Sequence, residues 1–226
     1  SNFKPIIYSA ALEKDFTAAT LINDAPVVFN DASLEDSWRP ENYSGKFFGP
    51  TRLRQALYKS RNLVSIRILR EIGTKAAIDY ATRFGFKAEQ LPRNLSLALG
   101  SASVPPIDVA KAYASFANTG YKVEPYFIER IEDSFGKVLY QAQPSTVCKD
   151  CEYVRPTDEV DLNPQDGDTT QVVASEIMAL NEAINEEEAL LNGELVVPEK
   201  TITNLPIAPR IMDERVNYVM HTILQD

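Results

Sequence analysis

The chain opens Ser1-Asn2-Phe3-Lys4-Pro5-Ile6-Ile7-Tyr8-Ser9-Ala10-Ala11-Leu12, and this run governs how the rest is read. Phe3, Ile6, Ile7, Ala10 and Ala11 recur at the three-to-four spacing of one helix face, which predicts a helix over residues 2–14. Proline is compatible with a helix only in its first turn, so Pro5 makes the helix begin close to residue 1. Ser1 and Lys4 then stand three positions apart on the same face. A lysine buried there sheds its proton more readily, because desolvation disfavours the ammonium, and can act as base toward the serine. The helix N-terminus also aims backbone N–H groups at that serine, which suits a developing oxyanion. The four-residue pattern has little force alone. It recurs at Ser134-Phe135-Gly136-Lys137, inside a predicted hairpin that offers no such geometry.

A second element adds specificity. Ser60-Arg61-Asn62 is the only Ser-x-Asn in the sequence. It falls in a break between predicted helices at 50–59 and 62–72, where a polar loop can face a cleft. The Ser60 hydroxyl can relay a proton there, and the Asn62 amide can hydrogen-bond a substrate peptide group. The competing reading is that Ser60 or Asn62 simply caps the helix at 62–72.

Around these motifs the pattern is mostly helical with a few strands. Residues 23–50 are rich in turn signals, with a short strand possible at 26–30. Leu63, Ile66, Leu69, Arg70 and Ile72 suggest a largely buried helix at 62–72. Another at 74–84 stops at Gly85, and a third at 105–119, with Val109, Ala112, Tyr113 and Phe116 on one face, stops at Gly120. The period then changes. Tyr126–Ile131 and Lys137–Gln141 flank Asp133-Ser134-Phe135-Gly136 as a hairpin. Residues 142–170 have loop composition, and helices are expected at about 172–192 and at 213–225. The last is capped by Asp213, with Val216, Met220, Ile223 and Leu224 inward.

Composition bounds the function. The 226 residues are 44% hydrophobic and 24% charged, ordinary for a globular chain with a sizeable core. No apolar run approaches the roughly 18 residues of a membrane span, and no signal peptide opens the sequence. A net charge of −9 argues against nucleic acid, whose phosphates need a basic footprint. The charge is uneven: residues 145–199 hold 14 acidic and 2 basic residues, while the remainder holds 18 and 21. That acidic stretch reads as an insertion or linker, or else as a docking surface for a basic partner. The single histidine, His221, lies among apolar neighbours and rules out a two-histidine metal site. Cys148 and Cys151 lack a second ligand pair for zinc and lie in a loop. No metal and no cofactor is expected.

Ser-x-x-Lys followed about 60 residues later by Ser-x-Asn is the order found in penicillin-interacting serine enzymes. The surroundings carry the likeness further. Residues 1–12 resemble the active-site helix of class A penicillin-binding proteins. So do Trp38-Arg-Pro-Glu-Asn-Tyr43 and Gly49-Pro-Thr-Arg-Leu-Arg-Gln-Ala-Leu-Tyr-Lys-Ser-Arg-Asn62. Leu97-Ala-Leu-Gly-Ser101, Ala112-Tyr-Ala-Ser-Phe-Ala-Asn-Thr-Gly120 and Ala208-Pro-Arg-Ile-Met212 match as well. The likeness covers nearly all of 1–140 and 206–226 and fails over 145–205.

The resemblance implies an α+β fold of the penicillin-binding-protein and serine β-lactamase type. Residues 1–144 would be the helical part of a transpeptidase domain, 145–205 an acidic insertion, and 206–226 a return helix. Ser1 would attack the D-Ala-D-Ala carbonyl of a peptidoglycan stem peptide, Lys4 would take its proton, Ser60 would protonate the departing amine, and Asn62 would hold substrate or Lys4. β-Lactams would acylate Ser1. The family faces the periplasm from the bacterial inner membrane and carries a glycosyltransferase domain on the same polypeptide. Its Lys-Thr-Gly strand is absent from this sequence, so the central sheet strands are expected largely outside the segment, with the remainder of the domain as its first partner. A D-Ala-D-Ala carboxypeptidase would use the same serine and lysine with water as acceptor. A non-catalytic scaffold that binds β-lactams or proteins is the reading from a different class. A class A β-lactamase needs a Glu-x-x-Leu-Asn run soon after Ser-x-Asn, and the one such string, Glu188–Asn192, lies far downstream.

Overall fold

The computed structural model describes residues 2–28, 38–147 and 206–226. Ser1, Cys148, Cys151, Glu188 and the predicted helix at 172–192 lie outside the described residues.

Helix α1 (Lys4–Leu12) follows Phe3, with Pro5 in its first turn as the sequence requires. The expected apolar face is buried, but so are Lys4, Pro5, Tyr8 and Ser9. A helix covered on all sides is a central one. It packs against α2 (Leu53–Tyr58), α3 (Asn62–Ile72), α4 (Thr74–Arg83) and α6 (Glu214–Leu224). The polar groups that burial traps find partners: Ser9 Oγ donates to the Ile6 carbonyl at 3.0 Å, and the Tyr8 hydroxyl meets Ser65 Oγ at 3.1 Å.

Helices α3 and α4 meet at Gly73, whose φ of +87° lets the chain turn between two helices without a residue to spare. Seven of the eleven residues of α3 are buried. Arg70, expected inward, is exposed. Phe84, just past α4, lies between Tyr80 and Phe116 of α5 (Pro106–Ala117), with ring centroids 5.4 and 5.3 Å away. Asp213 caps α6 by accepting from the Arg215 amide at 2.8 Å, as expected. Val216, Met220 and Ile223 point inward, whereas Leu224 is exposed.

The strands differ from the sequence expectation. Residues 26–28 carry no strand. Instead β1 (Leu21–Asp24) pairs antiparallel with β2 (Gly49–Arg52), from Leu21 opposite Arg52 to Asp24 opposite Gly49. The predicted hairpin is present but shorter: β3 (Arg130–Glu132) pairs with β4 (Val138–Gln141) across a bulge. Asp133 Oδ1 accepts from the amides of Phe135 and Lys137, which fixes its turn. All its strand residues are exposed, and Phe127 and Phe135 are 91% and 93% accessible. Finally β5 (Thr146–Val147) pairs in parallel with β6 (Ile207–Ala208). Among the described residues no helix is long and apolar enough to cross a membrane.

Candidate active site

The break between α2 and α3 is a specific helix-ending device. The Arg61 amide donates to the Ala56 carbonyl at 2.8 Å and the Ser60 amide to the Leu57 carbonyl at 2.8 Å. This pair of bonds defines a Schellman motif, whose crossing residue must be left-handed. That residue is Ser60, at φ +53°. Glycine or asparagine is the usual occupant, because other side chains are strained there. Neither Ser60 nor Asn62 caps α3: its N-cap position is Arg61, and no side chain caps it from there. Both side chains are turned toward α1 instead.

They converge on Lys4, which is 2% exposed. Its Nζ donates to the Ser60 carbonyl at 2.8 Å, to Ser60 Oγ at 3.0 Å and to Asn62 Oδ1 at 2.7 Å. An ammonium has three donors, and all three are satisfied. Burial nevertheless pulls the Lys4 pKa down from 10.5 to about 8, because a desolvated charge is costly. Deprotonated, the amine has two hydrogens and a lone pair. Of its three partners only Ser60 Oγ can reverse and donate, so the neutral lysine and the Ser60 hydroxyl form a natural proton-exchanging couple.

Asn62 is held from a second segment. Its Nδ2 donates to the Glu41 carbonyl at 2.9 Å, which leaves Oδ1 facing Lys4. Its backbone amide donates to Asn42 Oδ1 at 2.9 Å. Behind Asn42 lies Asp24, fully buried at the end of β1. Asn42 Nδ2 donates to both Asp24 carboxylate oxygens, at 2.7 and 2.9 Å, and to the Lys46 carbonyl at 2.9 Å. Arg61 lies on the Phe48 ring, its guanidinium carbon 3.4 Å from the centroid, with Nε 3.9 Å from Asp24. A cleft of about 570 Å³ opens beside this loop, lined by Asn42, Tyr43, Lys59, Ser60, Asn62 and Leu99.

The structure therefore brings Lys4, Ser60 and Asn62 together from segments more than fifty residues apart. Ser1 lies outside the described residues. His221 is exposed on α6, and none of the bonds around Lys4 involves it. Sequence reasoning gave Asp24 and Asn42 no role. An acidic residue and an amide in a turn-rich stretch look like ordinary turn formers.

The sequence profile of the penicillin binding protein transpeptidase domain matches residues 1–179. Penicillin-binding protein 1A of Pseudomonas aeruginosa is 48% identical over 228 aligned residues, covering all of this chain and 26% of that protein. The Escherichia coli protein of the same name is 44% identical over 67% of this chain and 18% of its own length. A crystal structure of penicillin-binding protein 1A from Haemophilus influenzae superposes with a TM-score of 0.73 at 29% identity, covering 99% of this chain and 29% of that one. The alignment with the Pseudomonas protein extends through 145–205, beyond the motifs quoted above. The chain spans about a quarter of the length of that relative. With the Ser-x-x-Lys and Ser-x-Asn motifs, the convergence on Lys4 and these matches taken together, the chain belongs to the penicillin-binding protein transpeptidase domain family and is similar to its class A members named penicillin-binding protein 1A.

Proposed function

We propose that this segment carries half of the active site of a peptidoglycan D,D-transpeptidase that acts through an acyl-serine intermediate. The single observation that supports this best is the buried Lys4 amine bonded to both Ser60 and Asn62. Ser1 Oγ attacks the carbonyl of the D-Ala-D-Ala bond while neutral Lys4 takes its proton. The C–N bond breaks as Ser60 Oγ–H protonates the departing D-alanine amine, and the Lys4 ammonium returns a proton to Ser60 Oγ across 3.0 Å. An amine of a neighbouring stem peptide then attacks the ester carbonyl, the acyl C–O bond breaks, and the amine's proton passes through Lys4 to Ser1 Oγ, which frees Ser1. Asn62 holds the lysine and presents its amide to the substrate. A β-lactam ring would be opened by the same attack and leave Ser1 acylated. Residues 1–144 and 206–226 serve as the helical part of the domain. The parallel pairing of Thr146–Val147 with Ile207–Ala208 brings together the two flanks of 148–205, which supports reading the acidic stretch as an insertion. The enzyme works at the periplasmic face of the inner membrane.

The direct test is intact-mass measurement with benzylpenicillin, on a polypeptide of the relatives' length carrying this segment. A drug-sized adduct should form on the wild type and be absent from Ser1→Ala. An equal adduct on both would overturn the assignment of Ser1.

A second expected result follows from Lys4. Its reactive form is neutral, so the acylation rate should climb about tenfold per pH unit below 8 and level off above it. Stability carries the same sign. The folded pKa is below the unfolded 10.5, so the charge burdens the fold below about 8, and the burden lifts as pH rises toward 10.5. A rate that is flat from about pH 6 to 9 would remove Lys4 as the base.

A further inference from the structure

A continuous chain of hydrogen bonds runs from a fully buried carboxylate to the Lys4 amine: Asp24, Asn42, Asn62, Lys4. Each link has a determined direction. Asn42 Nδ2 faces a carboxylate, which only accepts, so Oδ1 must face the Asn62 amide, which only donates. Asn62 Nδ2 faces the Glu41 carbonyl, so its Oδ1 must face Lys4. The Asn62 amide is one of the N–H groups that open α3 and have no intrahelical partner. Asn42 supplies that partner from a distant segment and so acts as a helix cap in trans. Residues 41 and 42 thereby grip Asn62 at its backbone and at its side chain.

We infer that Asp24 and Asn42 are positioning residues: they fix the height and rotation of Asn62, and through it the place of the Lys4 amine. This inference rests on the reading of Lys4 as the catalytic base. The physical case is one of alternatives. Without Asn42, the Asn62 amide loses the acceptor it has in the structure, and the first turn of α3 loses that tether. Without Asp24, Asn42 loses the charged acceptor that decides which way its amide points. Arg61 cannot replace that anchor. Its Nε stands 3.9 Å from Asp24, beyond hydrogen-bond reach, and is buried without a hydrogen-bond partner among the described residues. Among the described residues, the polar groups bonded to Lys4 are Ser60 and Asn62, and the charged groups behind them are Asp24 and Arg61.

Three forms test this in a polypeptide of the relatives' length: Asn42→Ala, Asn42→Asp, and the exchange Asp24→Asn with Asn42→Asp. The readout is the benzylpenicillin acylation rate as a function of pH, with thermal unfolding alongside. Asn42→Ala should lower the plateau rate about 10- to 100-fold, by analogy with the hydrogen-bond partners that orient metal ligands. It should also move the midpoint of the rate profile to lower pH, because Lys4 loses a well-held acceptor that favours its ammonium. Asn42→Asp should be as slow, since two carboxylates then face each other. The exchange restores one donor–carboxylate pair, with Asp at 42 still accepting from the Asn62 amide, and should recover about tenfold or more over Asn42→Asp. A merely structural role would lower the unfolding temperature and leave the midpoint where it is. An unchanged plateau and midpoint in Asn42→Ala, or an exchange no faster than Asn42→Asp, would overturn the inference. A wild type that forms no adduct would instead overturn the transpeptidase reading beneath it.

Discussion

Lys4→Met is expected to slow acylation of Ser1 by benzylpenicillin about 10²- to 10⁴-fold, the range that a positioned general base contributes. Methionine has a similar length and no proton to exchange, so it fills the space while removing the chemistry. Two effects compete in this variant. The Ser60 carbonyl, Ser60 Oγ and Asn62 Oδ1 lose their shared donor, which costs stability. Removing a desolvated charge works the other way, because the depressed pKa marks the ammonium as a burden on the fold. The net change in unfolding temperature should therefore be small against the change in rate. Stopped time courses read by intact mass give the rate, and a thermal melt of the same sample separates the two effects. A rate within about threefold of wild type would remove Lys4 from the mechanism.

The largest expected effect on stability belongs to Phe84→Ala, at about 3–5 kcal/mol. The ring is 1% exposed and joins Tyr80 on α4 to Phe116 on α5. Its removal leaves a cavity bounded by two other rings, and edge and stacking contacts go with the buried area. Typical domains have only about 5–15 kcal/mol in total, so the variant should be close to its unfolding limit near body temperature. Urea unfolding followed by tryptophan and tyrosine fluorescence would measure it. A loss below about 1 kcal/mol would mean that α4 and α5 close over the gap.

The helices were mostly legible because their signals are local, although the one expected at 50–59 begins only at Leu53, the residues before it forming β2. Apolar spacing placed α3, α4 and α5 to within a residue or two, and Asp213 announced the start of α6. Strands β1 and β2 were not legible. Leu21-Ile22-Asn23-Asp24 ends in turn formers, and Gly49-Pro50-Thr51-Arg52 begins with a pair that normally breaks structure. Each becomes a strand only because the other lies alongside it, twenty-five residues away in sequence, and pairing of that kind leaves no local trace. The site divides along the same line. Ser60, Asn62 and Lys4 could be named because their spacing forms a motif. Asp24 and Asn42 could not, because their importance lies in what they touch. The left-handed turn at Ser60 was equally hidden: serine gives no warning of a positive φ, as glycine would.

That turn has a consequence for how position 60 tolerates change. The helix ending asks for glycine or asparagine, and serine in the left-handed region gives up about 1 kcal/mol of comfort to supply a hydroxyl. A library randomised at this codon and sorted for thermal resistance alone should drift toward glycine, while one sorted for β-lactam capture should return serine. Fold and reaction thus select opposite residues at one codon, and the serine records which selection prevailed.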